Sequence, residues 1–332
     1  MNCYGCLKPI VSGPYCKKCL KNVFDNRKIK PLGFDKNGFY EQREKAKNRM
    51  SISGVQPKVS LVFNEEDALL IPVDKDGEYI LKPAPKDEGL KNLSDLVPNE
   101  HLSMQISKQV YGIKTADCAL IEFNDKELAY ITKRFDYTSG FESKLDQEDF
   151  ASALEYSEQI QGENYKYDGS YQECGELVRD HTAASVIMVE EFFKRVVLNY
   201  LIGNGDAHLK NFSFYFPEGS QSRILTPSYD VVYTRLHVSD SDMAMDLFKD
   251  DYEPIKTQAL GYQTFIDFDE FADALEINSR RKEKIFKNFF DSKEAVLNLI
   301  GRSYMSEEGK ASYSDFFLER LERRLKYGSK EI

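Results

Sequence analysis

Between His181 and Tyr215 the chain reads HTAASVIMVEEFFKRVVLNYLIGNGDAHLKNFSFY. Up to Gly203 this stretch has helical character with apolar residues almost all round. Such a helix must be covered on several sides, and only a lobe of substantial size can cover it. It hands the chain to a short polar run, Asn204 to Asn211, before apolar residues resume. A chain of 332 residues that is 41% apolar, with 20 Tyr and 22 Phe, has the material for a large core and for two lobes. Further amphipathic segments, SRRKEKIFKNFFDSKEAVLNLIGRSYM and SDFFLERLERRLKYGS, fit helices that close off the same lobe, whereas 162–172 (GENYKYDGSYQ) reads as a surface loop.

The polar run carries chemistry. Asp206 precedes Asn211 by five residues, and a second acid, Asp230, follows in LTPSYDVV. Phosphoryl transfer needs a carboxylate to orient the attacking hydroxyl and take its proton. It also needs an amide oxygen and a second carboxylate to hold Mg²⁺ against the phosphates. Asp-x4-Asn is the spacing of a protein-kinase catalytic loop. Here GNG stands where His-Arg is usual and YDVV replaces Asp-Phe-Gly, so this is no ordinary eukaryotic-type kinase. Each residue has a plain alternative: Asp206 as a turn residue, Asn211 as a cap, Asp230 as the end of a turn after Pro227. His208 is read as bracing the loop beside the nucleotide rather than as a base.

Upstream, SISGVQPKVSLVF places Ser51, Ser53, Gly54, Gln56 and Lys58 around a turn before a strand. Gly54 permits close backbone approach, and amide N–H groups with Lys58 could hold phosphate oxygens, although this is neither a P-loop nor a GxGxxG loop. EDALLIPVDKDGEYILKPAP then reads as strand, Asp-Gly turn, strand, with Lys82 at the strand's end before Pro83. A lysine there either snorkels at a sheet edge or holds nucleotide phosphates. Glu100 opens a helix in VPNEHLSMQISKQVYG and is placed to pair with Lys82. ADCALIEF and LAYITKRF are two more strands. Residues 51–136 therefore form a small β-rich lobe with one helix.

Four of the six cysteines fall in the first 19 residues, as Cys3-x2-Cys6 and Cys16-x2-Cys19. Two such knuckles on a short loop suit tetrahedral Zn²⁺, and four thiols leave no open position, so the site is structural rather than catalytic. Two disulfides are the weaker alternative. Cys118 and Cys174 read as buried small residues. The four histidines (His101, His181, His208, His237) are scattered and make no catalytic zinc cluster.

The net charge of -10 is uneven: residues 1–50 carry 12 Lys/Arg against 4 Asp/Glu, leaving 33 against 51 in the rest. An acidic body argues against direct nucleic-acid binding. The sequence has no 18-residue apolar run and no signal-peptide layout at its start, so a cytoplasmic protein with no membrane association is expected.

The stretches SISGVQPKVSL, YILKP followed by NEHL, ITKRFD, LIGNGDAHLKNFSFY and LTPSYDVV together resemble the HipA family of bacterial serine/threonine kinases, the toxins of type II toxin–antitoxin systems. The resemblance implies an α+β, two-lobed protein-kinase-like fold and ATP- and Mg²⁺-dependent phosphorylation of a serine or threonine. By motif, Asp206 matches the catalytic aspartate, Asn211 and Asp230 the metal-holding pair, and Lys82 the nucleotide lysine. Lys133 to Phe135 match the hinge beside adenine, and Asp136 the residue near the ribose. Gly54, Gln56 and Lys58 match the phosphate loop, whose serine is autophosphorylated in family members; Ser51 and Ser53 are the candidates. Family targets include aminoacyl-tRNA synthetases, and a DNA-binding antitoxin is the family's partner. Longer members carry a β-rich extension before the kinase core, where this chain has about 50 residues with the four-cysteine knuckle. The expected organisation is thus a zinc knuckle over 1–25, a basic linker or helix over 26–50, the kinase N-lobe over 51–136 and a helical C-lobe over 137–332. The same fold also accommodates a small-molecule phosphotransferase or a non-catalytic, nucleotide-ordered binding module.

Overall fold

The structure is a computed structural model and describes residues 1–46, 57–86, 89–138, 143–220 and 222–329. Two helices open the chain, α1 (Lys17–Phe24) and α2 (Lys36–Ala46). Five strands follow: β1 (Val59–Asn64), β2 (Leu69–Val73), β3 (Tyr79–Lys82), β4 (Cys118–Glu122) and β5 (Leu128–Lys133). They form one antiparallel sheet in the order β2-β1-β3-β5-β4. Its registers place Leu81 opposite both Val59 and Ile131, so β3 is the central strand and its last residue, Lys82, pairs with Tyr130. Between β3 and β4 the chain makes α3 (Leu96–Gln109), which packs on β4 and β5. Every residue of α3 from Val97 to Ser107 is buried, polar ones included, because the helix is enclosed on its far side as well.

The second half begins with β6 (Gln147–Asp149), which joins β7 (Ser213–Tyr215) and β8 (Ile224–Leu225) in a small antiparallel sheet. Within it lie α4 (Phe150–Ala153), α5 (Glu158–Gln161), α6 (Tyr171–His181) and α7 (Ser185–Ile202). Five helices complete it: α8 (Ile255–Leu260), α9 (Phe265–Ala274), α10 (Ser279–Phe290), α11 (Lys293–Arg302) and α12 (Glu307–Leu318), the last running into a π-helical turn, Glu319–Leu325. The architecture is therefore α+β, with a β-rich first region and a helical second one.

The central helix starts later than its sequence suggests. His181 closes α6, and Thr182 is extended, bridging to Arg223 while its hydroxyl donates to Val178 O at 2.8 Å. Only then does α7 begin, and from Phe192 onward it is buried on nearly every side, as its apolar wheel requires. It ends at Gly203, whose φ of +68° lets the backbone turn; a Cβ there would meet the Phe316 ring at 2.6 Å. Among the described residues, no helix is long and apolar enough to cross a membrane.

Candidate functional site

Lys82 is 8% exposed and its ammonium lies 2.7 Å from Glu100 Oε1 on α3. It also ion-pairs with Asp230 Oδ1, which arrives from the loop after β8. Burial alone would favour a neutral lysine, but the two carboxylates overcome it and raise the Lys82 pKa above its ordinary value. The same pairing holds Asp230 below the usual carboxylate range against the effect of burial. Asp230 has φ +54°, a left-handed conformation that aspartate tolerates better than most residues. Lys58 heads β1 within electrostatic reach of Asp230, Lys82 and Glu100. Three residues separated by 18 and 148 positions in the chain thus meet at one point, where a sheet strand, a helix and a turn converge.

The loop after α7 carries the other acids and amides. Asn204 bridges them: its amide donates to Asn199 Oδ1 at 3.0 Å and at 3.5 Å to Asp230 O, and its oxygen accepts from Asp206 N at 3.4 Å. Gly205 N donates to Thr234 Oγ1 at 2.9 Å, and a Cβ on Gly205 would sit 2.7 Å from Ser241 O. The GNG that departs from His-Arg is therefore a packing solution that seats the loop against the segment following Asp230. Asn211 Oδ1 accepts from His208 N at 3.1 Å, which fixes the direction of its amide. The side chain of Asp206 keeps 49% of its exposure, and its Oδ1 accepts from the Tyr167 hydroxyl at 2.5 Å. His208 Nε2 stands 3.8 Å from the same oxygen, but burial pushes that imidazole down to about 4, so it is neutral at pH 7. His208 Nδ1 is buried without a hydrogen-bond partner among the described residues.

Of the expected hinge residues, Phe135 is tied to this region by packing. Phe135 stacks on Tyr229, with ring centroids 5.7 Å apart, beside Asp230. Lys133 ends β5 with its ammonium 2.6 Å from Asp25, and buried Asp136 receives Arg134 Nε at 2.9 Å. Ser51, Ser53, Gly54 and Gln56 lie outside the described residues.

Sequence reasoning missed four residues here. Asn99, next to Glu100, accepts from Tyr233 N at 3.1 Å and donates to Tyr233 O at 2.9 Å, so α3 grips the chain just beyond Asp230. His237 backs it, with Nε2 2.9 Å from the Asn99 amide and Nδ1 2.8 Å from Lys91 O. A carbonyl on one ring nitrogen and an amide donor on the other define the Nδ1–H tautomer. Asn204 and Tyr167 are the other two. The Asn immediately before Glu100 and the Asn inside GNG were the only sequence signals.

At the N-terminus, the sulfurs of Cys3, Cys6, Cys16 and Cys19 all lie within 4.8 Å of one another, and Cys6 and Cys16 are 3.8 Å apart. Thiolates about 2.3 Å from one tetrahedral ion stand ~3.8 Å apart, so the donor set and its spacing fit Zn²⁺. All four are free thiols rather than two disulfides. Cys16 N donates to Cys3 Sγ at 3.2 Å and Gly5 N to the same atom at 3.4 Å, the backbone support a metal thiolate uses. Protons shared among the thiols push Cys3 down, through hydrogen bonds from Cys19 and Cys6, and push Cys19 up. A cation is what lets all four ionise.

This knuckle is docked. Leu120 N of β4 donates to Tyr4 O at 2.9 Å, and the Tyr15 hydroxyl donates to Leu120 O at 2.8 Å. On α3, the His101 Nε2–H donates to Gly5 O at 3.1 Å and Gln109 donates to Cys6 O at 2.9 Å. Asn2 reaches the carbonyl of Arg302 at 2.8 Å, while Tyr4 packs edge-on against Tyr304. The cysteine cluster thus braces the outer side of the helix whose inner side carries Glu100.

A β-rich region with a lysine–glutamate pair, set against a helical region with an aspartate-bearing loop, is the organisation of a protein-kinase-like fold. Family comparison agrees: the HipA-like C-terminal domain matches residues 50–297, and the chain belongs to that family. A Haemophilus influenzae protein named "Putative kinase" is 30% identical over 328 residues, 92% of either chain. The Shewanella oneidensis serine/threonine-protein kinase toxin HipA is 26% identical over 235 residues, which cover 67% of this chain and 52% of the toxin. The solved Shewanella complex of HipA, HipB and operator DNA matches with a TM-score of 0.61 at 22% identity, over 83% of this chain and 65% of that one. The present chain therefore spans nearly all of one relative but about half of the longer toxin.

Proposed function

We propose that this protein is an ATP- and Mg²⁺-dependent serine/threonine protein kinase of the HipA type. The observation that carries the reading is the convergence of Lys82, Glu100 and Asp230 beside the loop that bears Asp206 and Asn211. When bound, Mg²⁺ supplies charge neutralisation for the transferring phosphoryl group. Asp230 and Asn211 offer it the oxygen ligands that a hard cation prefers. Lys82, held by Glu100, is aimed to take up phosphate oxygens once Asp230 is engaged elsewhere. Asp206 orients the acceptor hydroxyl and receives its proton. Its half-exposed carboxylate favours an acceptor approaching from outside, as a protein side chain does, over a small molecule enclosed in the fold.

The four cysteines bind one structural Zn²⁺ that fastens the N-terminus to α3 and β4. Kinship with the Shewanella toxin supports a toxin role and a protein antitoxin partner, with DNA contacts made by that partner. The comparisons lend no support to an aminoacyl-tRNA synthetase as the acceptor.

Incubating the dephosphorylated protein with labelled ATP and Mg²⁺, wild type beside Asp206→Asn, tests the reading. Label on Ser51 or Ser53 in the wild type alone is the expected result. An ATP-binding protein that labels neither itself nor a supplied protein acceptor contradicts it.

A further inference from the structure

Asp206 has an occupant. The segment between α5 and α6 folds back over the loop after α7, with Tyr165 to Tyr167 in a single 3₁₀ turn. Tyr167 donates its hydroxyl to Asp206 Oδ1 at 2.5 Å, and its ring meets His208 edge-on with centroids 5.1 Å apart. Tyr165 lies under the ammonium of Lys210, 5.8 Å from its ring centroid. The turn therefore covers three positions of GDAHLKN at once. An alcohol about to be phosphorylated would present its O–H to this carboxylate in the same way, donor to acceptor.

We infer that Tyr167 is a built-in occupant of the acceptor hydroxyl's place on Asp206, and that residues 162–169 form a gate that swings aside when an acceptor binds. This rests on the reading of Asp206 as the base. The gate has a hinge at either end: Gly162 and Gly169 have φ of +88° and +81°, conformations that side-chain-bearing residues seldom adopt. The segment is also lightly held: residues 162–164 are exposed, 165–169 are half-buried, and Ser170 is the first fully buried residue after it. The carboxylates that hold Lys82 among the described residues, Glu100 and Asp230, both lie outside this segment, so the gate governs the acceptor and not the nucleotide. The expected result is a change in turnover without a change in ATP affinity.

Water is the simplest acceptor, and hydrolysis of Mg²⁺–ATP by the full chain is the test. Tyr167→Phe keeps the ring against His208 and removes only the hydroxyl. It should raise kcat for hydrolysis about tenfold, equivalent to ~1.4 kcal/mol, with KM for ATP unchanged. Tyr167→Ala should act in the same direction, and adding Asp206→Asn should abolish the gain. A Tyr167→Phe protein of unaltered melting temperature whose kcat is unchanged or lower overturns the gate and makes Tyr167 a positioning residue for Asp206. If ATP binds but no variant hydrolyses it in an Asp206-dependent way, the reading of Asp206 falls and the gate falls with it.

Discussion

Lys82 and Asp206 are linked through Asp230 and Asn204 and are held in opposite ways. Lys82 is buried, charged and paired with two carboxylates from distant parts of the chain. Asp206 is half-exposed and takes a neutral phenol from a glycine-bounded turn. The first arrangement is a pre-charged socket in which the lysine is already ionised and positioned, and an arriving ligand needs only to displace one carboxylate. The second is a stoppered one, closed by a group that a substrate can replace. The difference is a division of labour: permanent order at the proposed nucleotide site and exchangeable order at the proposed acceptor site.

The largest effect that would break this contrast is at Asp206. Asp206→Asn should lower phosphoryl transfer about 10³-fold while leaving ATP affinity within a factor of about two, as transfer assays and calorimetry would show. A parallel loss of ATP binding would mean that the two sides are not separable. Lys82→Met should do the reverse, weakening ATP binding and also the fold. It removes the ammonium from a glutamate that is only 2% exposed, at a cost of about 3 kcal/mol in urea unfolding.

Next in size is the metal. One Zn²⁺ per chain is expected by elemental analysis. Chelation, or Cys16→Ser, should cost at least about 3 kcal/mol, or ~6 °C in melting temperature. ATP affinity should fall with it, because the knuckle backs the helix that carries Glu100.

The smallest effect is a pH dependence. Burial lowers the pKa of His237, so the folded state binds its proton less readily than the unfolded state. Its contribution to stability is complete above the unfolded pKa of ~6.5 and is lost as pH falls toward the folded value, at up to about 1.4 kcal/mol per pH unit. Burial pushes His101 and His208 down to about 4, so they add slopes of the same sign. Urea unfolding between pH 7.5 and 5.5 should show the sum, and His237→Gln should reduce it without removing it.

The knuckle and the candidate site were legible in the sequence to different depths. Two CxxC pairs ten residues apart constrain one another locally, so the convergence of their sulfurs on one cluster follows from spacing alone. Lys82 was legible because it closes a strand before Pro83. Glu100 was legible as its partner although the helix starts earlier than expected, at Leu96, and places it in the second turn, while Asp230 lies in the loop after β8. Asn99 and His237 were not, since they are held by each other and by the backbone of Tyr233 and Lys91, all remote in the chain, and Asn204 was not, since its contact with Asp230 O comes from 26 residues away. The same holds for the break before α7: HTAAS is compatible with a helix, and only the bridge from Thr182 to Arg223 interrupts it. Tyr167 was hidden for another reason. The expected surface loop over 162–172 ends at Ser170, because Tyr171 and Gln172 open α6, and composition says nothing about what the rest of it lies on.

The central claim is that the Lys82–Asp230 ion pair is the ligand-free form of a nucleotide site. A crystal structure of the full chain with Mg²⁺ and a non-hydrolysable ATP analogue tests it most directly. The account predicts that Lys82 keeps Glu100 but leaves Asp230 for phosphate oxygens, while Asp230 and Asn211 coordinate Mg²⁺. An analogue bound elsewhere, or one bound with the Lys82–Asp230 pair intact and no metal at Asn211, would contradict it.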